Sequence, residues 1–548
     1  SRGAAASHHI PVLGAILLGL AFSALALAML RPALRGAFIN DDYPLIVNHP
    51  YLRTLDAQNL AAILDPFGDA SLHGVNYAPV MLLSFALEKA IFGLDTFGYH
   101  VVNVVVHGVN GALLAALLTA SGIPRRAALL GALLFVVHPA NVEAVAWISQ
   151  LKTELAFAFA LGALLAQRRF PAAALALFAL GLLTKASALA ALPTAAALSW
   201  SRRDAPRHWW WLGAWTAVAG LYAIPELHAQ VAGEYSPHAD AWMHARSIAA
   251  LGARYLAMAA TSYGVSAFQE PEPARSLVDP WWLAGVLAAA LLGARTLATL
   301  RARKPEAAFW IAAAASFAPI SQIWTFMHPF ADRYLYFILP GLIGGGLFAA
   351  LELRSQLLAR QPALARRWAP AATRAALVGS LAVALVFAAR SHARAALWTE
   401  EIALMRESAR NYPNGANAAY YRALLAAERG DAETAVRELR ECARHDIGHV
   451  ARFSADPRFA PIARDPAFHA LVDEIAGRWI EFARERGLES QTWLRSVGQA
   501  HRVRGEYTQA IAAFERALRG GGPLSSEIAA DLQATRALER DARARERR

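Results

Sequence analysis

The chain has 548 residues, 56% of them hydrophobic and 17% charged, with a net charge of +11 and a mean hydropathy of +0.30. That composition is too apolar for a soluble protein of this size, and the single cysteine, Cys442, excludes an internal disulfide framework and any cysteine-based metal site. The basic excess is mostly arginine in short loops between apolar runs, the signature of membrane topology, so no nucleic-acid partner is expected.

Runs of about 20 apolar residues recur through the first 390 positions, each long enough to cross a bilayer as a helix. The first, Ile10–Leu30, follows Arg2 and carries Ala26-Leu27-Ala28 near its end, as a cleavable signal peptide does. Its apolar core exceeds the usual length of about 7–15 residues, so a retained span is expected. Just beyond it stands Phe38-Ile39-Asn40-Asp41-Asp42-Tyr43, in a polar loop over 32–98. Adjacent carboxylates at the mouth of a membrane bundle are costly to hold near lipid and mark a candidate functional site. Asp41 and Asp42 can serve as base for a hydroxyl, as ligands for a hard cation, or as helix caps. Pro79–Leu94 is apolar but short and holds Glu88 and Lys89, so it is expected in the interface.

On the next span, His100–Ala120, the residues His100, Asn103, His107 and Asn110 share one helix face. That stripe either faces a cavity or glues helices together by hydrogen bonds. The third span starts at Ala127, and Pro139 disfavours helix at His138, which exposes polar groups there. Glu143, five residues on, either pairs with Lys152 or positions an acceptor or a cation. Leu151–Ala166 follows, then two short runs, Pro171–Thr184 and Ala186–Trp200, with Lys185 at the break between them. A lysine there either holds a phosphate as a point charge or snorkels to the interface.

Trp209–His228 is the next candidate span, whereas Arg246–Tyr263 carries Arg246 and Arg254 on one face and is expected in the interface. Trp281–Leu300, Glu306–Thr325, Tyr334–Leu351 and Ala372–Ala389 complete a count of eleven. Before the tenth lies His328-Pro329-Phe330-Ala331-Asp332-Arg333-Tyr334-Leu335-Tyr336, where Arg333 can fork two phosphate oxygens while Asp332 orients it, or the two form a local ion pair in an aromatic belt. Placing the clusters Arg125-Arg126, Arg168-Arg169, Arg202-Arg203, Arg301–Lys304 and Arg354–Arg367 in the cytoplasm puts the N-terminus inside. Asp41, Asp42, His138, Lys185 and Asp332 then share the outer face with everything after residue 390.

From Ser391 onward charged residues are dense and no spanning run occurs, which divides the chain into a membrane domain, 1–390, and a helical domain, 391–548. Asn417–Arg444, with Gly430-Asp431, and Gln499–Arg519, with Gly505-Glu506, each read as two helices joined by a short glycine turn, the tetratricopeptide pattern. No phosphate-binding P-loop, nucleophile elbow or His-Glu-x-x-His zinc motif occurs.

In order, Asn40-Asp41-Asp42, Asn76-Tyr77-Ala78-Pro79, Phe92-Gly93-Leu94-Asp95, Tyr99-His100 with Asn103 and His107, His138-Pro139 through Glu143 to Trp147-Ile148, Leu183-Thr184-Lys185, and Asp332-Arg333-Tyr334-Leu335-Tyr336 with Pro340-Gly341 resemble the transmembrane and tetratricopeptide-repeat O-mannosyltransferase family and its bacterial relatives. The resemblance implies an all-α, GT-C-type membrane bundle of about eleven spans followed by a tetratricopeptide-like repeat domain, in a bacterial inner membrane. It implies an inverting glycosyltransferase that moves a sugar from a polyprenyl-phosphate donor to a protein hydroxyl outside the cytoplasm. Asp41 or Asp42 would act as base, Lys185 and Arg333 would hold the donor phosphate, and His138, Glu143, Asp332, Tyr336 and His100 would support the site or the acceptor. No cofactor is required, and a divalent cation, magnesium or manganese, would fall to Asp41, Asp42 and Glu143. Partners are the lipid-linked sugar, membrane lipids and a protein met through the repeats. Two departures stand out: Ala78 replaces a basic residue of the family pattern, and Gln150-Leu151-Lys152-Thr153-Glu154 replaces an Arg-Lys-Asp or Gly-Arg-Ala-Asp stretch. A non-catalytic scaffold whose repeats dock partner proteins is the alternative; a transporter lacks support because the bundle shows no internal repeat.

Overall fold

The computed structural model describes residues 12–230, 240–323, 330–360, 362–443, 453 and 456–547. Ile10, His328 and Pro329 lie outside the described residues. Among the described residues every regular element is helical. In chain order these are α1 (Val12–Met29), α2 (Ala57–Leu64), α3 (Asp69–Gly74), α4 (Pro79–Phe92), α5 (Thr96–Ala120), α6 (Arg125–Val136), α7 (Asn141–Ala146), α8 (Leu151–Ala166), α9 (Pro171–Leu182), α10 (Ala191–Arg202) and α11 (Pro206–Ala229). Then come α12 (Ala241–Thr261), α13 (Pro280–Arg301), α14 (Glu306–Phe317), α15 (Leu335–Arg360), α16 (Pro362–Ala395), α17 (Glu401–Asn411), α18 (Ala416–Glu428) and α19 (Ala432–Ala443), and finally α20 (Pro466–Glu485), α21 (Gln491–Val503), α22 (Tyr507–Arg519) and α23 (Ser525–Glu546).

Among the described residues six helical segments are long and apolar enough to cross a membrane: Val12–Met29, Thr96–Ala120, Ile148–Ala166, Pro280–Arg301, Asp332–Arg360 and Pro370–Thr399. The chain is a membrane protein. Five further expected spans do not reach that standard, each for a local reason. Pro139 stops α6 at Val136, and the Thr184-Lys185 break leaves α9 and α10 at 12 residues apiece. Pro305 and Pro319 confine α14 and the turn after it to Glu306–Ile320. α11 has the length, with 24 residues, but carries Arg207, His208, Glu226 and His228.

Water-driven burial does not operate between helices in lipid, so close packing of small residues holds the bundle together. Helices α1 and α5 cross at Gly108, where an added Cβ would fall on the backbone of Ser23. Helices α14 and α15 cross at Gly341, which lies against the Phe309 carbonyl and the Ala313 amide. The polar stripe of α5 faces inward: the Asn103 amide donates to the carbonyls of Val145, Trp147 and Ile148, and Asn110 donates to the carbonyl of Glu154 and the hydroxyl of Tyr336. The Asn103 bonds tie α5 to the broken stretch between α7 and α8, whose carbonyls would otherwise be unsatisfied in an apolar interior, and the Asn110 bonds tie it to α8 and α15.

The loop between α1 and α5 folds into a small apolar core of its own, with Ile46, Leu52, Ile63, Leu82 and Phe85 packed on Tyr99. After α16 the helices form antiparallel pairs around two separate cores. Gly430 and Gly505, both at φ +73°, make the turns that join α18 to α19 and α21 to α22, a backbone conformation open to glycine.

Candidate active site

The Asn40-Asp41-Asp42 signature has a structural cause. Asn40 takes a left-handed conformation, φ +44°, which asparagine tolerates, and turns the chain sharply before Tyr43. Asp42 closes that turn: Oδ2 accepts from the Ile39 amide at 2.9 Å while Oδ1 accepts from the Ser149 amide at 2.8 Å. Asp42 is fully buried, and burial pushes its carboxyl up to about 7 against the pull of both amides. It thereby clips the loop to the start of α8. Asp41, one residue earlier, is half-buried, and its carboxylate has no hydrogen bond or ion pair within the described residues.

Three cations surround Asp41 within electrostatic reach: Lys152, Lys185 and Arg333. Lys185 Nζ donates to Thr153 Oγ1 at 2.7 Å, the residue next to Lys152. Burial first, then Lys152 and Arg333, push the Lys185 ammonium well below the usual lysine range. Arg333 is braced on three sides: its guanidinium meets Glu143 Oε1 at 2.5 Å, its amide donates to Glu143 Oε2 at 2.9 Å, and its planar head lies 5.3 Å from the Trp147 ring and 4.9 Å from that of Tyr334. A charge-assisted pair stacked on aromatics fixes both orientation and charge. The elements meet because each is interrupted here: the Asp turn before α4, the short α7, the first turn of α8, the break after α9, and the turn before α15.

Several expected partnerships differ from what the structure holds. Glu143 pairs with Arg333, not Lys152. Asp332 does not orient Arg333; it meets Arg394 at 3.1 Å and accepts from the amide of Ser266 and from Gln269. The trio Asp41, Asp42 and Glu143 does not form a ligand set, because amides take both Asp42 oxygens and Arg333 takes both of Glu143's. Among the described residues no group of three His, Cys, Asp or Glu is placed to hold a metal. His100 meets the Gly36 carbonyl at 3.2 Å, bracing the loop after α1, and His138 meets the Ala259 carbonyl of α12 at 3.2 Å. Tyr336 is fully buried against His107, 2.9 Å away, deep in the bundle. Sequence reasoning passed over Lys152 as a site residue; its one signal was rarity, since the chain has only the lysines Lys89, Lys152, Lys185 and Lys304.

The chain is similar over 122 residues, at 35% identity, to the protein O-mannosyl-transferase TMTC1 of Mus musculus, covering 21% of this chain and 13% of that protein. Over 131 residues it is 36% identical to Tmtc1 of Drosophila melanogaster, 23% of this chain and 15% of the other. Protein O-mannosyl-transferase tmtc2 of Xenopus laevis is 33% identical over 129 residues, again 23% and 15%. Over that segment the chain is similar to protein O-mannosyl-transferases. The matched segment spans between about an eighth and a sixth of the length of these three relatives. No family model and no solved structure matches the chain.

Proposed function

We propose that the chain is an inverting glycosyltransferase of the GT-C type, which moves a sugar from a polyprenyl-phosphate donor to a protein hydroxyl on the non-cytoplasmic face of a bacterial inner membrane. One observation carries the reading: Asp41, a carboxylate with no hydrogen bond or ion pair among the described residues, lies within electrostatic reach of Lys152, Lys185 and Arg333, where several interrupted helices meet. Asp41 would take the proton of the acceptor hydroxyl as its oxygen attacks the anomeric carbon. The bond from that carbon to the phosphate oxygen breaks, and the lipid phosphate departs already ionised. It needs no proton, only positive charge where its negative charge gathers, which Lys185 and Arg333 supply. Asp42 holds the turn that aims Asp41. The helix pairs after α17 fit tetratricopeptide-like repeats, the surface on which a protein acceptor would lie.

The names of the relatives support protein as the acceptor. The test is transfer itself: the full chain in nanodiscs, a radiolabelled polyprenyl-phosphate sugar, and extracytoplasmic protein as acceptor. Label should pass to protein in the wild type and drop by about 100- to 10,000-fold on removal of the base, Asp41→Asn. Equal labelling by the two proteins would overturn the reading in favour of a scaffold.

A further inference from the structure

The four lysines of this chain differ in what their ammonium groups meet. Lys89 Nζ donates to the carbonyls of Ile46 and Val47 at 2.8 and 3.0 Å, capping the turn after the Asp pair. Lys304 meets Glu352 at 2.6 Å at the far end of the bundle. Lys185 is held by Thr153. Lys152 alone has no hydrogen bond and no ion pair among the described residues, although it opens α8 at the edge of an apolar span and faces Asp41, Lys185 and Arg333. A lysine at a membrane boundary that lies near other cations and is bonded to no acceptor is unfavourable unless an anion completes the group.

The bonding of the nearby carboxylates says what anion. Lys152, Lys185 and Arg333 lie within electrostatic reach of Asp41, and Asp42 and Glu143 lie near them. Glu143 is committed to Arg333 through both oxygens and both Asp42 oxygens accept from backbone amides, so neither of these carboxylates is bonded to a lysine. A phosphodiester carries a single negative charge and offers two free oxygens, one for each ammonium group. Thr153 spaces the two lysines by holding Lys185 beside the α8 turn that carries Lys152.

We propose that Lys152 contacts the phosphate group of the donor directly and, with Lys185, forms its seat, while Arg333 and Glu143 make the fixed wall beside it. The proposal rests on the glycosyl-transfer reading above, and it adds a residue that neither the motifs nor the relatives assign. It also gives the departure at Gln150–Glu154 a meaning, since the one cation kept in that stretch is the one that faces the site.

The test uses the full chain in nanodiscs with farnesyl phosphate as a short lipid-phosphate probe and inorganic phosphate as the soluble comparison. An amine-acetylating reagent is applied, and the labelling rate of each lysine is read by mass spectrometry. Farnesyl phosphate should slow labelling of Lys152 severalfold or more and leave Lys304 unchanged. Protection by farnesyl phosphate alone assigns a lipid-borne phosphate; equal protection by inorganic phosphate assigns the phosphate group without help from the chain. Farnesyl phosphate affinity should fall by about tenfold or more in Lys152→Gln, the loss expected for one charge-assisted bond, and by far less in Lys152→Arg. Bound farnesyl phosphate with Lys152 labelled at its free rate overturns the proposal and leaves the glycosyl-transfer reading standing. A wild type that binds no farnesyl phosphate at all overturns both. The labelling arm needs only the wild type, so it decides the matter even if Lys152→Gln does not fold.

Discussion

The two adjacent aspartates should part company on mutation, because the structure gives one a chemical position and the other a mechanical one. Asp41→Asn removes a carboxylate that makes no hydrogen bond within the described residues, so it should cost less stability than Asp42→Asn, which breaks two buried bonds. Transfer should collapse. Asp42→Asn is the opposite case. Its carboxylate accepts from two backbone amides, at 2.9 and 2.8 Å, and a carboxamide has one oxygen to offer. The NH2 group must face one of those amides, leaving a buried donor unmet at a cost of about 1–3 kcal/mol. The pH dependence carries a second signature. The Asp42 carboxyl is raised from 3.8 to about 7 in the folded state, so between those values the folded protein binds a proton that the unfolded chain has lost. Stability contributed by this group is therefore fully present below about pH 4, falls as pH rises, and levels off above about 7, a change on the order of 4 kcal/mol. Asp42→Asn lacks that slope, so the stability gap between wild type and variant should be wide near pH 5 and narrow near pH 8. Tryptophan-fluorescence melts of both proteins in nanodiscs across that range measure it, with transfer assayed on the same samples. An Asp42→Asn variant as stable as wild type at pH 5, or an Asp41→Asn variant that melts early, would refute the division of labour.

Two other outcomes follow from the same geometry. Arg394→Gln leaves Asp332 and Glu407 without their shared cation; breaking a buried ion pair from one side costs about 3–5 kcal/mol, and limited proteolysis should cut near residues 394–411 far faster than in wild type. A reporter active only in the cytoplasm and fused after the last residues of the chain should stay silent, and a strong signal would invert the orientation drawn from the arginine loops.

Motif order was legible in the sequence because broken helices leave local marks. Pro139 announced the end of α6, Lys185 between two short apolar runs announced the break after α9, and the all-helical class followed from apolar runs and glycine turns. Pairings were not legible. Glu143 and Lys152 are nine residues apart and looked like partners, yet the chain turns twice between them, at Trp147 and again at Leu151, and Glu143 meets Arg333, 190 residues away. Adjacency makes Asp332 and Arg333 look like a unit. The short turn they occupy sends consecutive side chains in different directions, one toward Arg394 and the other toward Glu143. Span number was legible only in part, since six of the eleven expected spans are helices long and apolar enough to cross. Hydropathy counts apolar residues, but a short helix tucked behind longer ones can be apolar without reaching across a bilayer.

The same turn joins the site to the helices that follow the bundle. Arg333 faces the Asp41 pocket while Asp332, beside it, holds Arg394, and Arg394 in turn holds Glu407 on α17 at 2.8 Å. Glu407 accepts from the Ala267 amide, and Glu270 accepts from the amides of Ala416 and Asn417 at the start of α18. On the other side of the pocket the loop that carries Asp41 is tied to the last helices, through Arg53 with Glu527 on α23 and Asp69 with Thr492 on α21. The C-terminal helices are thus anchored at both ends to the two loops that carry Asp41 and Arg333. An acceptor lying along those helices would meet the pocket at a set distance and angle, and positioning of that kind lowers a barrier by removing motion before the reaction starts. Loosening either anchor should therefore slow transfer without touching Asp41, Lys185 or Lys152. The Arg53–Glu527 pair is the cleaner place to try, because it is partly exposed and its loss leaves no buried charge behind. Arg53→Gln should raise the KM for a protein acceptor while the KM for the lipid donor stays at its wild-type value; a shift in the donor KM alone would show that the anchor serves the pocket and not the acceptor.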